Sequence, residues 1–534
     1  MTDTAVAISE RRSIHPVLWG FLIVFFYFFV WFIQRIPSIV NNTLWHEDYA
    51  LLVSDQYQVV PGHEYTYLRS YRPLFYLEYH IIEFIYPGHL GTVVPKILGG
   101  FYLAITGLIT STLLKKWKAQ PVAAFLIPLF FLCHPVLNEI SIWNVAHYNS
   151  LVVLLLVAGV ALWDEFSSRW RQVLGSLIIL LGTLGYPIYL TIPVILFITE
   201  YTLKRLNGLH FSFRQLTWKL GIIVMITGLF FISAEITRTY MKSHHMPYDN
   251  RTFSLWNFVS ASPSFLALKF REVRRIYMNL FLPIFSFYLG LGKALKVWKI
   301  IPISLALAML IVARLSRLNP LYAIVMALIP FLPGLAHMTI NSVQTEWRMS
   351  VPGVYAAAIS LTPLLTIILS DRSRFFNRYS KILRLAIIIV FTIFATTAMA
   401  IVTWGDSELR VDGNRQDLEV LNQIETFWKT QDLNRQQFEI GSQLWVGQKK
   451  IDRNTPKVVT EGSSIFAGYT EFTHGWSRRT FVAYSGFRPF DEKLNMNLYR
   501  TMVDRCHAEG VPIHNGSGYR VYHSIEERLS FICR

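Results

Sequence analysis

A chain of 534 residues that is 53% hydrophobic and 15% aromatic, with a mean hydropathy of +0.36, is too apolar for an ordinary soluble protein. Only 16% of its residues are charged, against roughly 25% in soluble domains. The formal net charge of +16 would point to nucleic acid in a soluble protein, but the retention of Lys and Arg in cytoplasmic loops of a membrane protein accounts for it, so no nucleic-acid partner is expected.

A membrane-crossing helix needs about 20 mostly apolar residues. The first such stretch is Val17–Ile33, preceded by Arg11 and Arg12, which predicts a cytoplasmic N-terminus. It lacks a small-residue cleavage site, so it is read as a retained helix and not as a signal peptide. After it come Ile97–Leu114, Val122–Leu132 with its flanks, Leu151–Leu162, Gly175–Leu184 with its flanks, Ile188–Leu203 and Leu220–Ile236. Ile300–Val312, Leu321–Leu335, Val354–Leu369 and Leu385–Thr403 complete a count of about eleven spans. Residues 1–403 thus form an all-α polytopic membrane domain, with a first outer loop over 37–95.

Loop charge supports this topology. Predicted cytoplasmic loops hold Lys115, Lys116 and Lys118; Arg169 and Arg171; Lys204, Arg205, Arg214 and Lys219; Arg314 and Arg317; and Arg372, Arg374, Arg378, Lys381 and Arg384. The predicted outer loops His134–His147, Tyr186–Tyr189 and His337–Pro352 are nearly free of Lys and Arg. One region breaks the pattern. Arg238 to Lys299 falls outside yet carries Lys242, Arg251, Lys269, Arg271, Arg274 and Arg275. Either its apolar part, Ile276–Leu291, is a further span or interfacial helix, or the region is a basic outer pocket for an anionic lipid headgroup.

From Trp404 the composition turns polar. Residues 404–534 read as a soluble α/β domain, outside the membrane by the span count. Gln416–Lys429 and Leu498–Glu509 read as helices, and Val458–Val459, Arg479–Ala483 and Tyr519–Tyr522 as short strands. Of the three cysteines, Cys133 lies in a span, while Cys506 and Cys533 share this domain and would be able to pair in an oxidising compartment. Two buried free thiols are the alternative.

The unusual polar residues gather at the outer ends of spans. The first loop holds Glu47, Asp48, His63, Arg69, Arg72, Glu78, His80 and Glu83; the second His134, Glu139, Trp143, His147 and Asn149; the third Tyr186 and Tyr189; the last His337, Asn341, Glu346, Trp347 and Arg348. Ionisable groups near a membrane core are costly and mark function. A carboxylate there can serve as general base on a sugar hydroxyl, and arginines can hold the charge of a phosphate leaving group. Aromatic side chains offer flat faces to sugar rings. The structural readings stand beside these: Asp48 as the cap of a helix from Tyr49, Arg72 at a helix start before Pro73, Arg348 snorkelling to the interface, and His134 and His147 as satisfied structural histidines. Glu47, Asp48 and a histidine would also be able to ligate a divalent metal such as Mg or Mn, at a spacing that is not specific.

At these residues the chain resembles polytopic glycosyltransferases of the GT-C superfamily. Tyr71-Arg72-Pro73-Leu74 is similar to a Tyr-Arg-Pro-Leu segment of transmembrane O-mannosyltransferases. His134-Pro135 through Glu139 is similar to their His-Pro-x-x-x-Glu stretch, and Glu346-Trp347-Arg348-Met349-Ser350-Val351-Pro352 to a later Glu-Arg element. The resemblance implies a polyprenyl-phosphate sugar donor, Asp48 as base with Glu47 beside it, and Arg72 and Arg348 near the donor phosphate; from their outer-face charge alone, Arg69, Arg274 and Arg275 are expected to join them. From their gathering at the outer ends of spans, His134, Glu139, Trp143, His147, Tyr186, Tyr189 and Trp347 are expected as substrate contacts. The layout looks more like the bacterial enzymes that decorate lipopolysaccharide O-antigen, for which glucose is the expected hexose. The expectation is an inverting hexosyltransferase of a bacterial inner membrane, with its C-terminal domain periplasmic. It would act on a glycan or lipid-linked glycan acceptor, beside membrane lipids, a donor-synthesising glycosyltransferase and a flippase. The alternatives are an O-antigen polymerase or ligase, and a lipid-linked sugar flippase or transporter.

Overall fold

The computed structural model describes residues 16–44, 73–141, 144–163, 168–209, 212–244, 350–369, 378–443, 478–491, 495–513 and 519–533, with a few isolated positions between 263 and 333. Helices dominate: α1 (Pro16–Ile33), α2 (Ile36–Val40), α3 (Pro73–Ile85), α4 (Val94–Lys116), α5 (Pro121–Leu132), α6 (Asn138–Ser141), α7 (Tyr148–Leu162), α8 (Arg169–Thr183), α9 (Thr191–Leu206), α10 (Phe213–Ser243), α11 (Val351–Leu369) and α12 (Lys381–Lys429).

Among the described residues four helices are long and apolar enough to cross a membrane: α4, α10, α11 and α12. At 1.5 Å per residue α4 is about 35 Å long, enough for a hydrocarbon core of about 30 Å. The apolar stretches Val17–Ile33, Pro121–Leu132 and Tyr148–Leu162 are shorter. Phe21, Phe25 and Phe29 of α1 are exposed on one face, while Tyr27 and Trp31 are fully buried on the other. Ile387, Val390, Phe391 and Phe394 of α12, and Val224, Ile232 and Ile236 of α10, are exposed as well. So large an apolar surface belongs in lipid, and the chain is a membrane protein.

The expected count of about eleven spans is not met among the described residues. Ile300–Val312 and Leu321–Leu335 lie almost wholly outside them. The other shortfall has a physical cause. Helices α5, α7, α8 and α9 have 12 to 16 residues and rise only about 18–24 Å. The chain leaves α-geometry at Pro135–Leu137 and Pro187–Leu190, where a proline opens a 3₁₀ turn, and at Asn144–Ala146.

Helix α4 is central and packs against α1, α5 and α7; α7 packs on α8, α9 on α10 and α11, and α2 on α12. Close approach is built in at Gly100 of α4, where an added Cβ would sit 2.3 Å from the Trp31 ring. The bundle has two chemically distinct ends. At one, Asn207 Nδ2 donates to the Lys118 carbonyl (3.1 Å), Arg384 Nη1 donates to the Ile368 carbonyl (2.9 Å), and Glu200 pairs with Lys204 (2.8 Å) and Lys219 (2.6 Å). These are residues of the basic loops. At the other, Ser38 meets Ser407, Asn138 Nδ2 donates to Asp406 (2.5 Å), and Thr403 Oγ1 donates to the Cys133 carbonyl (2.8 Å).

The C-terminal domain emerges at that second end. The expected boundary at 403/404 falls inside a helix. The last span and the Gln416–Lys429 helix are one unbroken α12 of 49 residues, about 73 Å long. The composition turns polar between them, but Asp406, Ser407 and Arg410 are buried, the first two bonded to Asn138 and Ser38, so the stretch stays helical. Beyond it, β1 (Glu439–Ser442), β2 (Arg488–Pro489), β3 (Val511–Pro512), β4 (Arg520–Ser524) and β5 (Leu529–Cys533) form one sheet of order β2-β1-β5-β4-β3. β1 runs parallel to β2 and β5, and β3, β4 and β5 pair antiparallel, so the domain is α/β.

Arg479–Ala483, expected as a strand, lies within helix α13 (Arg478–Tyr484). Helical geometry buries the consecutive Phe481, Val482 and Ala483. Gly486, at φ +82°, then ends the helix: its N–H bonds the Ala483 carbonyl and that of Phe487 bonds Val482, a glycine C-terminal stop. Val458–Val459 lies outside the described residues. The expected helix Leu498–Glu509 is α14 (Met496–Glu509), and Tyr519–Tyr522 overlaps β4. Cys506 of α14 is disulfide-bonded to Cys533 of β5, and Cys133 is a buried free thiol.

Candidate functional site

The site is built where α3 meets the ends of α4 and α7. α3 starts at Pro73, whose fixed φ and missing N–H suit the first turn of a helix. Leu74 and Phe75 face inward. Phe75 stacks on Tyr148 with ring centroids 4.2 Å apart, and a Cβ added at Gly185 would meet Val152 at 2.4 Å and Leu74 at 2.9 Å. The Gly185–Tyr186 turn therefore nests directly on α3 and α7.

One turn further along the same face is Glu78, a buried carboxylate. Its Oε1 lies 2.9 Å from His147 Nε2 and 3.5 Å from the Tyr102 hydroxyl. His147 Nδ1 sits 2.5 Å from the Asn144 carbonyl, which can only accept, so Nδ1 carries a proton. A neutral His147 would then turn a bare Nε2 lone pair toward a carboxylate. A protonated imidazole would donate its Nε2–H to the Glu78 carboxylate.

Helix α3 also supplies the carboxylate of a second His–carboxylate pair. Glu83 accepts from the Gly88 N–H (2.9 Å) through Oε1 and from His89 Nδ1 (2.8 Å) through Oε2. Gly88, at φ +73°, makes the left-handed turn that folds His89 back against α3. His89 is fully buried, whereas the Glu83 side chain is 34% exposed. Burial is the largest influence on His89 and lowers its pKa below the ordinary 6.5; the bond from Glu83 opposes this, and nearby His147 adds to it.

Around the pairs, amides hold irregular backbone. Asn144 Nδ2 donates to the Leu90 (2.5 Å) and Thr92 (2.9 Å) carbonyls, Asn42 Nδ2 to Gly91 (2.8 Å), and Lys96 Nζ to Asn42 Oδ1 (3.1 Å). A Cβ at Gly99 would press on Ser141 (3.2 Å) and His147 (3.5 Å), so this glycine sets how close α4 comes. A further network ties in the C-terminal helix. Arg35, fully buried, donates to the carbonyls of Trp31 (3.1 Å) and His134 (3.3 Å), and Asp406 bonds Asn138 (2.5 Å) and Arg410 (3.2 Å).

Of the residues expected at a site, His134, His147, Tyr186 and Tyr189 fall at this end of the bundle. His147 is in the first pair. His134 Nδ1 accepts from the Val136 N–H (3.2 Å) and so caps a 3₁₀ turn. Tyr186 and Tyr189 pack edge to face at 5.1 Å within the main core. Glu139 lies in α6, its side chain outside the described set. Glu47, Asp48, Arg69, Arg72, Trp143, Arg274, Arg275, Trp347 and Arg348 lie outside the described residues. No group of three or more His, Cys, Asp or Glu able to hold a metal is found among the described residues.

Sequence reasoning named Glu78 and Glu83 among the outer-loop acids without a specific role, and passed over His89. The signal was present: Glu78 falls one turn after Leu74 and Phe75, on the face that packs inward, where a carboxylate is out of place unless paired. No protein-family model and no curated protein matches this chain.

Proposed function

We propose that this protein is a membrane glycosyltransferase of the GT-C type. It transfers a hexose, with glucose the first candidate, from a polyprenyl-phosphate hexose to a surface glycan such as lipopolysaccharide O-antigen, with inversion. The observation that carries the reading is the buried Glu78–His147 contact with Tyr102, at the bundle end opposite the basic loops. The chain segments that resemble the family, around Pro73 and from His134 to His147, converge there. Buried ionisable groups gathered at one end of a membrane domain favour chemistry on a membrane-borne substrate. A transporter would be expected to keep such charges at the midplane between repeated halves.

In this reading the loop between α2 and α3 supplies Asp48 as base, with Glu47 orienting it or sharing a divalent Mg or Mn. The acceptor hydroxyl loses its proton, its oxygen attacks the anomeric carbon, and the bond to the phosphate oxygen breaks. Arg72 and Arg348 hold the departing phosphate. The loop charges favour a cytoplasmic N-terminus and a periplasmic C-terminal domain in a bacterial inner membrane, with about eleven spans in all. The C-terminal domain, fixed to the site by α12, would present the acceptor.

The test is transfer by the purified full-length protein in liposomes containing polyprenyl-phosphate glucose, alongside deletion in the host with analysis of its surface glycan. Asp48→Asn should abolish transfer, a loss of at least about 10², without lowering the amount of protein in the membrane. Full transfer by both Asp48→Asn and Glu47→Gln would show that the base lies elsewhere.

A further inference from the structure

Helix α12 ends in a left-handed stop. The Leu433 N–H bonds the Trp428 carbonyl (3.1 Å) and the Asp432 N–H bonds that of Lys429 (3.2 Å). The left-handed position of such a stop is ordinarily held by glycine or asparagine. Here it is held by Asp432, at φ +54°, where a side chain is disfavoured. Among the described residues the Asp432 carboxylate has no hydrogen bond or ion pair, so the fold gains nothing from it. What it does is line an open cleft of about 600 Å³, with Glu425, Lys429, Asn434, Arg435 and Gln437, a volume within the range of ligand sites.

The walls of the cleft are held in place from outside it. Glu425 pairs with Lys429 (2.9 Å) and Arg435 (2.6 Å). Arg435 also donates to the Ser485 carbonyl (3.3 Å) and lies over the Phe487 ring, 4.7 Å from its centroid. Gln437 Oε1 accepts from the Asn434 N–H (2.7 Å), and Asn434 Oδ1 accepts from the Gln436 N–H (3.1 Å). With their oxygens committed to backbone, both amides keep their NH₂ groups as donors. Two acids balance two bases, so the cleft carries no net charge. That balance favours a neutral ligand over an anion. Amide donors beside a carboxylate acceptor match hydroxyl groups, which both donate and accept. Leu433, also in the lining, offers an apolar contact to ring C–H groups.

We propose that this cleft binds a neutral, hydroxyl-rich glycan, the acceptor chain, away from its reacting end. The assignment of that glycan as acceptor rests on the glycosyl-transfer reading. Glu425 lies 19 residues beyond Asp406 on one unbroken helix, about 28 Å along its axis, and Asp406 marks the bundle end through its bond to Asn138. A single sugar cannot cover that distance and an oligosaccharide can. The cleft therefore selects a polymeric acceptor and leaves the rest of the chain to reach the membrane domain.

Asp432→Gly tests it, because glycine is at ease at this φ and the helix stop is kept; the melting temperature should not fall. Lys429→Ala, at a side chain 67% exposed, is the second variant. Full-length protein in nanodiscs is titrated with the delipidated surface polysaccharide of its host, followed by calorimetry and saturation-transfer NMR. Each variant should weaken Kd about tenfold, the loss of one charge-assisted hydrogen bond. An unchanged Kd in both variants overturns the cleft, as does a wild type that does not bind the polysaccharide. Displacement of the polysaccharide by millimolar inorganic phosphate would make this an anion site and overturn it equally. Binding that the variants weaken, in a protein that transfers no hexose, keeps the cleft as a glycan site and sinks the glycosyl-transfer reading alone.

Discussion

The Cys506–Cys533 disulfide gives a prediction whose size follows from the chain. The bond closes a loop of 27 residues between α14 and β5. Both sulfurs lie in a small core with Phe490, Met502, Leu529 and Phe531. In the chain-entropy description, a loop of this length removes about 12 cal/mol/K from the unfolded ensemble, or about 3.6 kcal/mol at 25 °C. Replacing both residues by alanine avoids leaving a polar hydroxyl in that core. The double variant should therefore make opening of the domain easier by about 3–4 kcal/mol, a factor of several hundred.

Amide exchange read by mass spectrometry on the full-length protein in detergent measures this directly, in the regime where opening equilibrates faster than exchange. Protection in β4 and β5 should drop about 400-fold, while α4, in the membrane bundle, keeps its rate. A drop below about threefold would mean that the helix–sheet core holds the segment without the bond. A parallel loss in α4 would mean that the two parts unfold together. A second arm tests compartment: protein taken from cells should resist maleimide at both cysteines until it is reduced. Labelling without reductant would remove the argument for an oxidising exterior.

Two further predictions concern packing and pH. At Gly175, where α8 meets α7, an added Cβ would lie 2.5 Å from Trp163 and 2.7 Å from the Gly159 carbonyl; Gly175→Ala should destabilise by about 1–3 kcal/mol. Gly221→Ala, with nothing within 4 Å, should leave the melting temperature in detergent unchanged, and equal behaviour of the two would refute close helix packing here. In the C-terminal domain Ser530 Oγ accepts from Trp428 Nε1 (2.6 Å) and lies 2.7 Å from His523 Nδ1, whose ring stacks on Phe427. Burial lowers the His523 pKa from 6.5 to about 4, so between these values the unfolded state binds more protons and stability falls as pH falls. From pH 7.5 to 5 the domain should lose about 2 kcal/mol. His523→Gln should flatten that slope in amide exchange of β4, and an unaltered slope would assign it to another group.

Hydropathy made the helices legible where it alone decides: α4, α10, α11 and the first part of α12 were all readable from apolar length. It failed where tertiary contacts decide. The stretch from Trp404 to Arg415 carries two glycines and several charges and reads as a break, yet Asp406 and Ser407 find partners on α6 and α2, so the helix runs on. Arg479–Ala483 shows strand-like residues, but at this length the period is ambiguous, and the stop at Gly486 was the better guide. The disulfide was readable only as a pairing allowed by a shared domain. Glu78 and Glu83 were visible as outer-loop acids, but nothing in the sequence shows that each meets a histidine, because those contacts close across 69 residues in one case and a left-handed turn in the other.

The polar residues at this end of the bundle divide by what they bond, and the division bears on which are functional. Irregular backbone inside a membrane protein must be satisfied by protein groups, since lipid offers none. Here the chain leaves helical geometry between α5 and α7 and again between α3 and α4, and a defined set repairs it: Arg35 and Asn144 donate to carbonyls of those segments, and His134 accepts from Val136. Each has a structural cause that accounts for its type, including a histidine that the sequence singles out as a substrate contact. Glu78, Glu83, His89 and His147 are different. Gly88 and Asn144 take part, but the short carboxylate contacts run to one another, and a neutral amide at any of the four would repair backbone equally well. Two His–carboxylate contacts are thus kept at one end of a membrane domain, Glu78 with His147 and Glu83 with His89, where ionisable groups are costly. That cost is why the two pairs, and not the caps around them, are the features to mutate first.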